Sequence, residues 1–125
     1  MMATTTSLTD AIKNKDVAQV KTLLQGQPDL ARAGQGPQGE PLLHLAVNQG
    51  TPEIVACLLA EGADIDARRA GGFTPLHDAS QLGNEEMIRL LLEHMADINA
   101  TTDDGQTPME LAIKSGHDAA KWFSL

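Results

Sequence analysis

The sequence has few of the residues that tie a protein to a particular chemistry or location. Its 125 residues include one cysteine, Cys57, one tryptophan, two phenylalanines and no tyrosine. A lone cysteine excludes an intramolecular disulfide and a metal site built on paired thiolates. It fits a reducing compartment, and we expect the protein to be cytoplasmic. So few aromatic residues also argue against a β-sandwich, whose pleated faces favour aromatic and β-branched side chains.

Long apolar runs and an excess of positive charge are missing as well. Residues 1–7 have no basic start and no apolar run, and no later stretch approaches the roughly 20 apolar residues of a membrane helix. We therefore expect no signal peptide and no membrane partner. The formal net charge is −8, which repels the phosphates of nucleic acids and favours a partner with a basic patch.

What the sequence does contain is an internal repeat. Residues 39–46, 72–79 and 105–112 align at a constant offset of 33 residues as Gly-Glu-Pro-Leu-Leu-His-Leu-Ala, Gly-Phe-Thr-Pro-Leu-His-Asp-Ala and Gly-Gln-Thr-Pro-Met-Glu-Leu-Ala. The alignment continues downstream through a glycine, an aliphatic pair, a Leu-Leu pair and an Ala-Asp-Ile sequence. A weaker copy runs from residue 8 to residue 29. A period of this length is the signature of a repeat protein.

Each copy carries its own helix boundaries. Thr74 and Thr107 precede prolines, so each hydroxyl can accept an N–H at the helix start while proline has no N–H to satisfy. Thr51 is expected to begin a second helix in the same way. Gly50 and Gly83 follow the first helices, where a left-handed residue ends a helix. Helices of about eight to ten residues are marginal alone, so they depend on packing against the neighbouring repeat.

These residues resemble the ankyrin repeat, whose pattern is Thr-Pro-Leu-His-x-Ala, a glycine, and then Leu-Leu-x-x-Gly-Ala-Asp. The resemblance implies an all-α solenoid of stacked helix-turn-helix units with projecting β-turn fingers. It divides the chain into a flexible N-terminus over residues 1–6 and one ankyrin-repeat domain over residues 7–125. The repeats cover about 7–35, 36–68, 69–101 and 102–125. Met95 stands where the pattern has glycine.

The resemblance also assigns His44 and His77 to a structural position, in which the ring hydrogen-bonds within its repeat and to the next one. A catalytic triad of Ser80, His77 and Asp78 fails because adjacent residues on a helix point in different directions. The glycine-rich segment 34–39 lacks the strand before it and the Gly-Lys-Ser/Thr after it that a phosphate-binding loop requires. We therefore expect no enzyme, no cofactor and no metal.

By the resemblance, a partner protein docks on the concave side formed by inner helices and fingers. Carried over position by position, the predicted partner-binding residues are Gln38, Glu40, Asn48, Gln49, Arg68, Arg69, Ala70, Phe73, Asp78, Gln81, Leu82, Asp103, Asp104, Gln106, Lys114 and Ser115. Phe73 and Leu82 are either a binding hot spot or ordinary exposed apolar residues. Arg68 and Arg69 are either a solvated pair or an anchor for a carboxylate.

The expected function is that of an adaptor, regulator or inhibitor that binds another protein, as a monomer. Two alternatives remain. One is an immunity or chaperone-like partner of a single toxin or enzyme, which the small size and acidity suggest. The other is a self-associating structural module, in which Trp122 and Phe123 mediate end-to-end contact. Trp122, Phe123 and Leu125 are expected to fold back onto the third repeat.

Overall fold

The computed structural model describes residues 4–27, 29–33, 39–118 and 122. These residues form an all-α arrangement, and an isolated antiparallel bridge joins Arg69 and Phe73. The described helices are α1 (Thr4–Lys13), α2 (Val17–Gly26), α3 (Leu30–Ala33), α4 (Leu42–Gln49), α5 (Pro52–Ala60), α6 (Pro75–Leu82), α7 (Glu85–Glu93) and α8 (Pro108–Lys114).

The chain divides into two compact units, Met1–Asp64 and Ile65–Leu125. In the first unit α1 packs against α2 and α4, and α5 packs against α2 and α4, with α3 beside α4 and α5. In the second unit α6 packs against both α7 and α8. Each unit has its own apolar interior. The first includes Leu8, Ile12, Leu24, Leu43, Ile54 and Leu58, and the second includes Leu76, Met87, Ile88 and Leu91.

The predicted caps form at two of the three Thr-Pro sequences. The Thr74 hydroxyl accepts from the His77 backbone N–H, and the Thr107 hydroxyl accepts from that of Glu110. The side chains of His77 and Glu110 accept in return from the N–H of their threonines, which makes each a capping box. Thr51 precedes α5 as expected, but its hydroxyl makes no capping bond. There the helix start depends on Pro52 and backbone geometry alone.

The first repeat begins earlier than the sequence indicated. We expected residues 1–6 to precede the folded domain, whereas α1 starts at Thr4. The apolar pattern begins at Leu8, and the Thr-Thr-Thr-Ser run before it carries no apolar periodicity from which the start of α1 could be predicted. Residues 1–3 lie outside the described part of the chain. The short helix α3 ends at Ala33, directly before the glycine-rich segment 34–39.

Met109 differs from the core positions with which it aligns. We expected it to pack like Leu43 and Leu76, which are each 1% exposed, but it is 40% exposed. Among the described helices of the second unit, only α6 packs extensively against α8. Met109 and Ile113 are therefore left partly or largely in solvent.

The left-handed positions are where the repeat pattern placed them. Gly50 and Gly83 have φ of 73° and 72° and end α4 and α6. Met95 follows α7 with φ of 70° and is 83% exposed. A side chain with Cβ is strained in this conformation. Since Met95 is almost entirely in solvent, little packing compensates for that strain.

We predict that Met95→Gly raises the free energy of unfolding by about 1 kcal/mol, because glycine adopts positive φ without steric strain. Urea unfolding followed by circular dichroism measures the difference. Glu93→Gly is the matched control, since Glu93 is helical and the same change there should lower stability by about 1 kcal/mol. An unchanged or lower stability of Met95→Gly would contradict the prediction.

Candidate partner-binding surface

Two neighbouring fingers of the second unit lie side by side. In the upstream finger (residues 67–74), the Arg69 N–H donates to the Phe73 carbonyl oxygen at 2.9 Å. In the downstream finger (residues 100–107), the Thr102 N–H donates to the Gln106 carbonyl oxygen at 2.9 Å. The Asp103 N–H joins the two by donating to the Gly71 carbonyl oxygen at 2.9 Å. A side chain at Gly72 would collide with Asp103, because a Cβ there would lie 2.6 Å from Oδ1.

Arg68 joins the same two fingers from its side chain. Its Nη1 donates to the Gly72 carbonyl oxygen at 2.9 Å and to the Thr101 carbonyl oxygen at 2.7 Å. Arg68 is therefore not a purely solvated cation, whereas its role as an anchor for a partner carboxylate stays a prediction. Its guanidinium holds backbone of both fingers in place.

His77 makes a third connection, and it is completely buried. Its Nδ1 accepts from the Thr74 N–H at 3.1 Å, so the neutral ring carries its proton on Nε2. Nε2 then donates to the Gln106 carbonyl oxygen at 2.9 Å. Burial lowers the pKa of His77 below its ordinary value, because desolvation penalises the imidazolium, and the Gln106 carbonyl only partly opposes this. The predicted structural role is confirmed for His77.

Arg69 is held between an aromatic ring and a carboxylate. Its guanidinium lies 4.5 Å from the centre of the Phe73 ring, and its Nε lies 3.1 Å from both carboxylate oxygens of Asp78. The Phe73 ring is in turn 5.7 Å from the His77 ring. Asp78 is only 1% exposed, so it reaches the surface through Arg69 rather than by itself. These contacts fix the direction in which the upstream finger projects.

Several exposed residues lie near the upstream finger, and two of them are on one face of α6. Gln81 and Leu82 follow Asp78 by three and four residues, which places them one helical turn farther along the same face. Leu82 is 50% exposed. Ala70 at the tip of the upstream finger is exposed too, as are Asp103, Asp104, Lys114 and Ser115, while Phe73 and Gln106 are half-buried.

A family model for ankyrin repeats in three copies matches residues 8–102 and 43–124. The chain belongs to the ankyrin repeat family. The predicted all-α ankyrin fold is thereby confirmed, and the fingers described above are those of ankyrin repeats. Ankyrin repeats are generally protein-interaction modules, and the family is generally non-catalytic.

Several curated ankyrin-containing proteins resemble short parts of this chain. A 2-5A-dependent ribonuclease of Mus musculus is 41% identical over 69 residues, which are 55% of this chain and 9% of that protein. Rabankyrin-5 of Homo sapiens is 49% identical over 47 residues, which are 38% and 4%. A BTB/POZ domain and ankyrin repeat-containing protein of Oryza sativa subsp. japonica is 42% identical over 64 residues, which are 50% and 12%. The chain therefore spans a small fraction of these relatives.

The remaining predicted residues lie in the first ankyrin unit. Asn48 is exposed on α4 and its side-chain amide donates to the His44 carbonyl oxygen at 3.0 Å. Glu40 and Gln49 are half-buried. His44 is completely buried, as His77 is in the second unit. Gln38 lies outside the described residues.

One residue that the sequence analysis did not select, His117, also supports α6. His117 Nε2 lies 2.9 Å from the Gln81 carbonyl oxygen, and its ring occupies the space in which a Cβ at Gly83 would stand. Only the 33-residue alignment, which pairs Gly83 with Gly50, hinted at a constraint there. Across the described residues no group of three His, Cys, Asp or Glu side chains is placed to hold a metal ion. None of the described helices is long and apolar enough to cross a membrane.

We predict that Arg69→Met lowers the free energy of unfolding by about 3 kcal/mol, because it leaves the Asp78 carboxylate buried without its guanidinium. Asp78→Leu in the same chain should restore most of the loss. The repeat itself supports this change, since Leu45 and Leu111 occupy the position of Asp78 in the neighbouring repeats. Urea unfolding of the wild type, both single variants and the double variant gives the coupling free energy between Arg69 and Asp78. Strictly additive effects would show that the pair contributes nothing.

Proposed function

We propose that this protein is a non-catalytic ankyrin module that binds a partner protein through one surface of the second unit. This α6 surface is defined as Gln81 and Leu82 of α6 together with Arg69, Ala70 and Phe73 of the upstream finger. The observation that supports the proposal is that the upstream finger is held in place beside Leu82, which is 50% exposed. Arg69, Phe73 and Asp78 hold the upstream finger in one arrangement before any partner arrives. A preformed surface binds with less loss of conformational entropy than a flexible one.

The chemistry of this surface favours a partner with an apolar side chain and flanking basic groups. Leu82 supplies an apolar contact that is 50% exposed in the free protein. Asp103 and Asp104 in the downstream finger are both exposed. The net charge of −8 would accelerate encounter with a cationic partner, with an effect that weakens as salt is added. Gln106, Lys114 and Ser115 form the continuation of this surface in our proposal.

A purely binding role agrees with how the histidines are used. His77 is fully buried and its ring nitrogens are committed to Thr74 and Gln106. His117 is committed to the Gln81 carbonyl. The ribonuclease relative is matched over only 9% of its length, so its activity is not carried over. We further propose that the protein acts as a cytoplasmic monomer. In the first unit, Gln38, Glu40, Asn48 and Gln49 remain predicted partner-binding residues.

We predict that Leu82→Ala weakens partner binding by about 5- to 30-fold without unfolding the protein, as loss of an apolar anchor does at an interface. The immobilised full chain is used to capture its partner from an extract of the source organism, and calorimetry then measures the affinity of each variant. Met95→Ala is the matched control, because Met95 is an exposed apolar residue in another element.

Circular dichroism should give the same spectrum for both variants. If Leu82→Ala and Met95→Ala bind the partner equally well, the α6 surface is not the binding site.

A further inference from the structure

The outer side of the second unit contains a cavity that the α6 surface does not use. It has a volume of about 280 Å³ and lies along α7, on a different helix from Leu82. Its lining residues are Glu85, Ile88, Arg89, Leu92, Glu93 and Trp122. Trp122 thus folds back onto the third repeat as the sequence indicated, whereas Phe123 and Leu125 lie outside the described residues.

The cavity has an apolar row and a charged row, both set by helical spacing. Ile88 and Leu92 are four residues apart on α7 and form the apolar row. Glu85, Arg89 and Glu93 follow the same spacing and form the charged row. Arg89 pairs with Glu85 at 2.9 Å, while Glu93 enters no ion pair with any described residue. The negative charge of Glu93 therefore remains uncompensated, at the end of the cavity that lies by the C-terminus of α7.

The indole of Trp122 completes the wall opposite the helix. Its ring lies 6.0 Å from that of His117, which is itself fixed to the Gln81 carbonyl. The indole N–H is buried and has no acceptor among the described residues. The N–H is therefore shielded from the open space of the cavity, and the half-buried indole offers its ring to an occupant.

We propose that this cavity binds the side chain of an arginine from a basic protein segment. A volume of about 280 Å³ lies below the range of drug-sized ligand pockets, and it suits a single side chain. The aliphatic stem packs mainly on Leu92, since Ile88 is only 1% exposed, and the planar guanidinium stacks on the indole and donates to Glu93. The net charge of −8 attracts such a segment from a distance.

The test uses the fluorescence and the indole N–H resonance of Trp122. Trp122 is the only tryptophan and the chain has no tyrosine, so intrinsic fluorescence and the single indole N–H resonance both report this cavity. The full chain is titrated with N-acetyl-arginine methylamide at constant ionic strength. We expect saturable changes in both signals at millimolar concentration, as a single side chain allows. N-acetyl-citrulline methylamide, a neutral analogue of similar shape, should bind about fivefold more weakly.

Two single substitutions on α7 test whether the arginine probe binds in the cavity. Glu93→Gln should weaken binding of the arginine probe about threefold and leave the citrulline probe unchanged. Glu86→Gln is the matched control, since Glu86 is an exposed glutamate on the same helix that does not line the cavity. The proposal is overturned if neither signal saturates, if arginine and citrulline probes bind equally, or if the two glutamine variants behave alike. None of these outcomes bears on the α6 surface, which is tested separately.

Discussion

The hydrogen bond from His77 Nε2 to the Gln106 carbonyl oxygen connects one repeat to the next in the second unit. It matters because α6, α7 and α8 are seven to nine residues long, and helices of that length are marginal when isolated. The same ring closes the capping box at Thr74, so one buried side chain both starts its own helix and fixes the neighbouring finger. In the last repeat Glu110 retains the capping contact and lacks the ring nitrogen that bridges onward.

The candidate surface follows from that connection. Arg68 and the Asp103 N–H add two more bonds between the fingers, and these bonds keep the upstream finger in register with the downstream one. Arg69 then lies over Phe73 and reaches the buried Asp78. Beside this network Leu82 is the large apolar side chain that α6 exposes.

The repeat pattern predicted most of the backbone, because helix caps and left-handed glycines are local features that a 33-residue alignment exposes. It failed where a side chain depends on contacts between distant segments. Asp78 was predicted to be a partner-binding residue, yet it is 1% exposed and pairs with Arg69, at a position where the neighbouring repeats have Leu45 and Leu111. Met109 aligns with core leucines, yet its environment depends on what packs beyond α8. The sequence predicted that Trp122 folds back onto the third repeat, but it did not reveal the cavity that Trp122 lines together with α7.

Native-state hydrogen exchange tests the connection between repeats most directly. His77→Gln keeps the local cap, since a glutamine at this position can accept from the Thr74 N–H, but it removes the ring that reaches Gln106. In the wild type, amides of α6 and α8 should exchange with one common opening free energy. In His77→Gln, amides of α8 should exchange about tenfold faster than those of α6, whereas Glu110→Gln should leave the two helices together. Equal protection of α6 and α8 in His77→Gln would contradict the account.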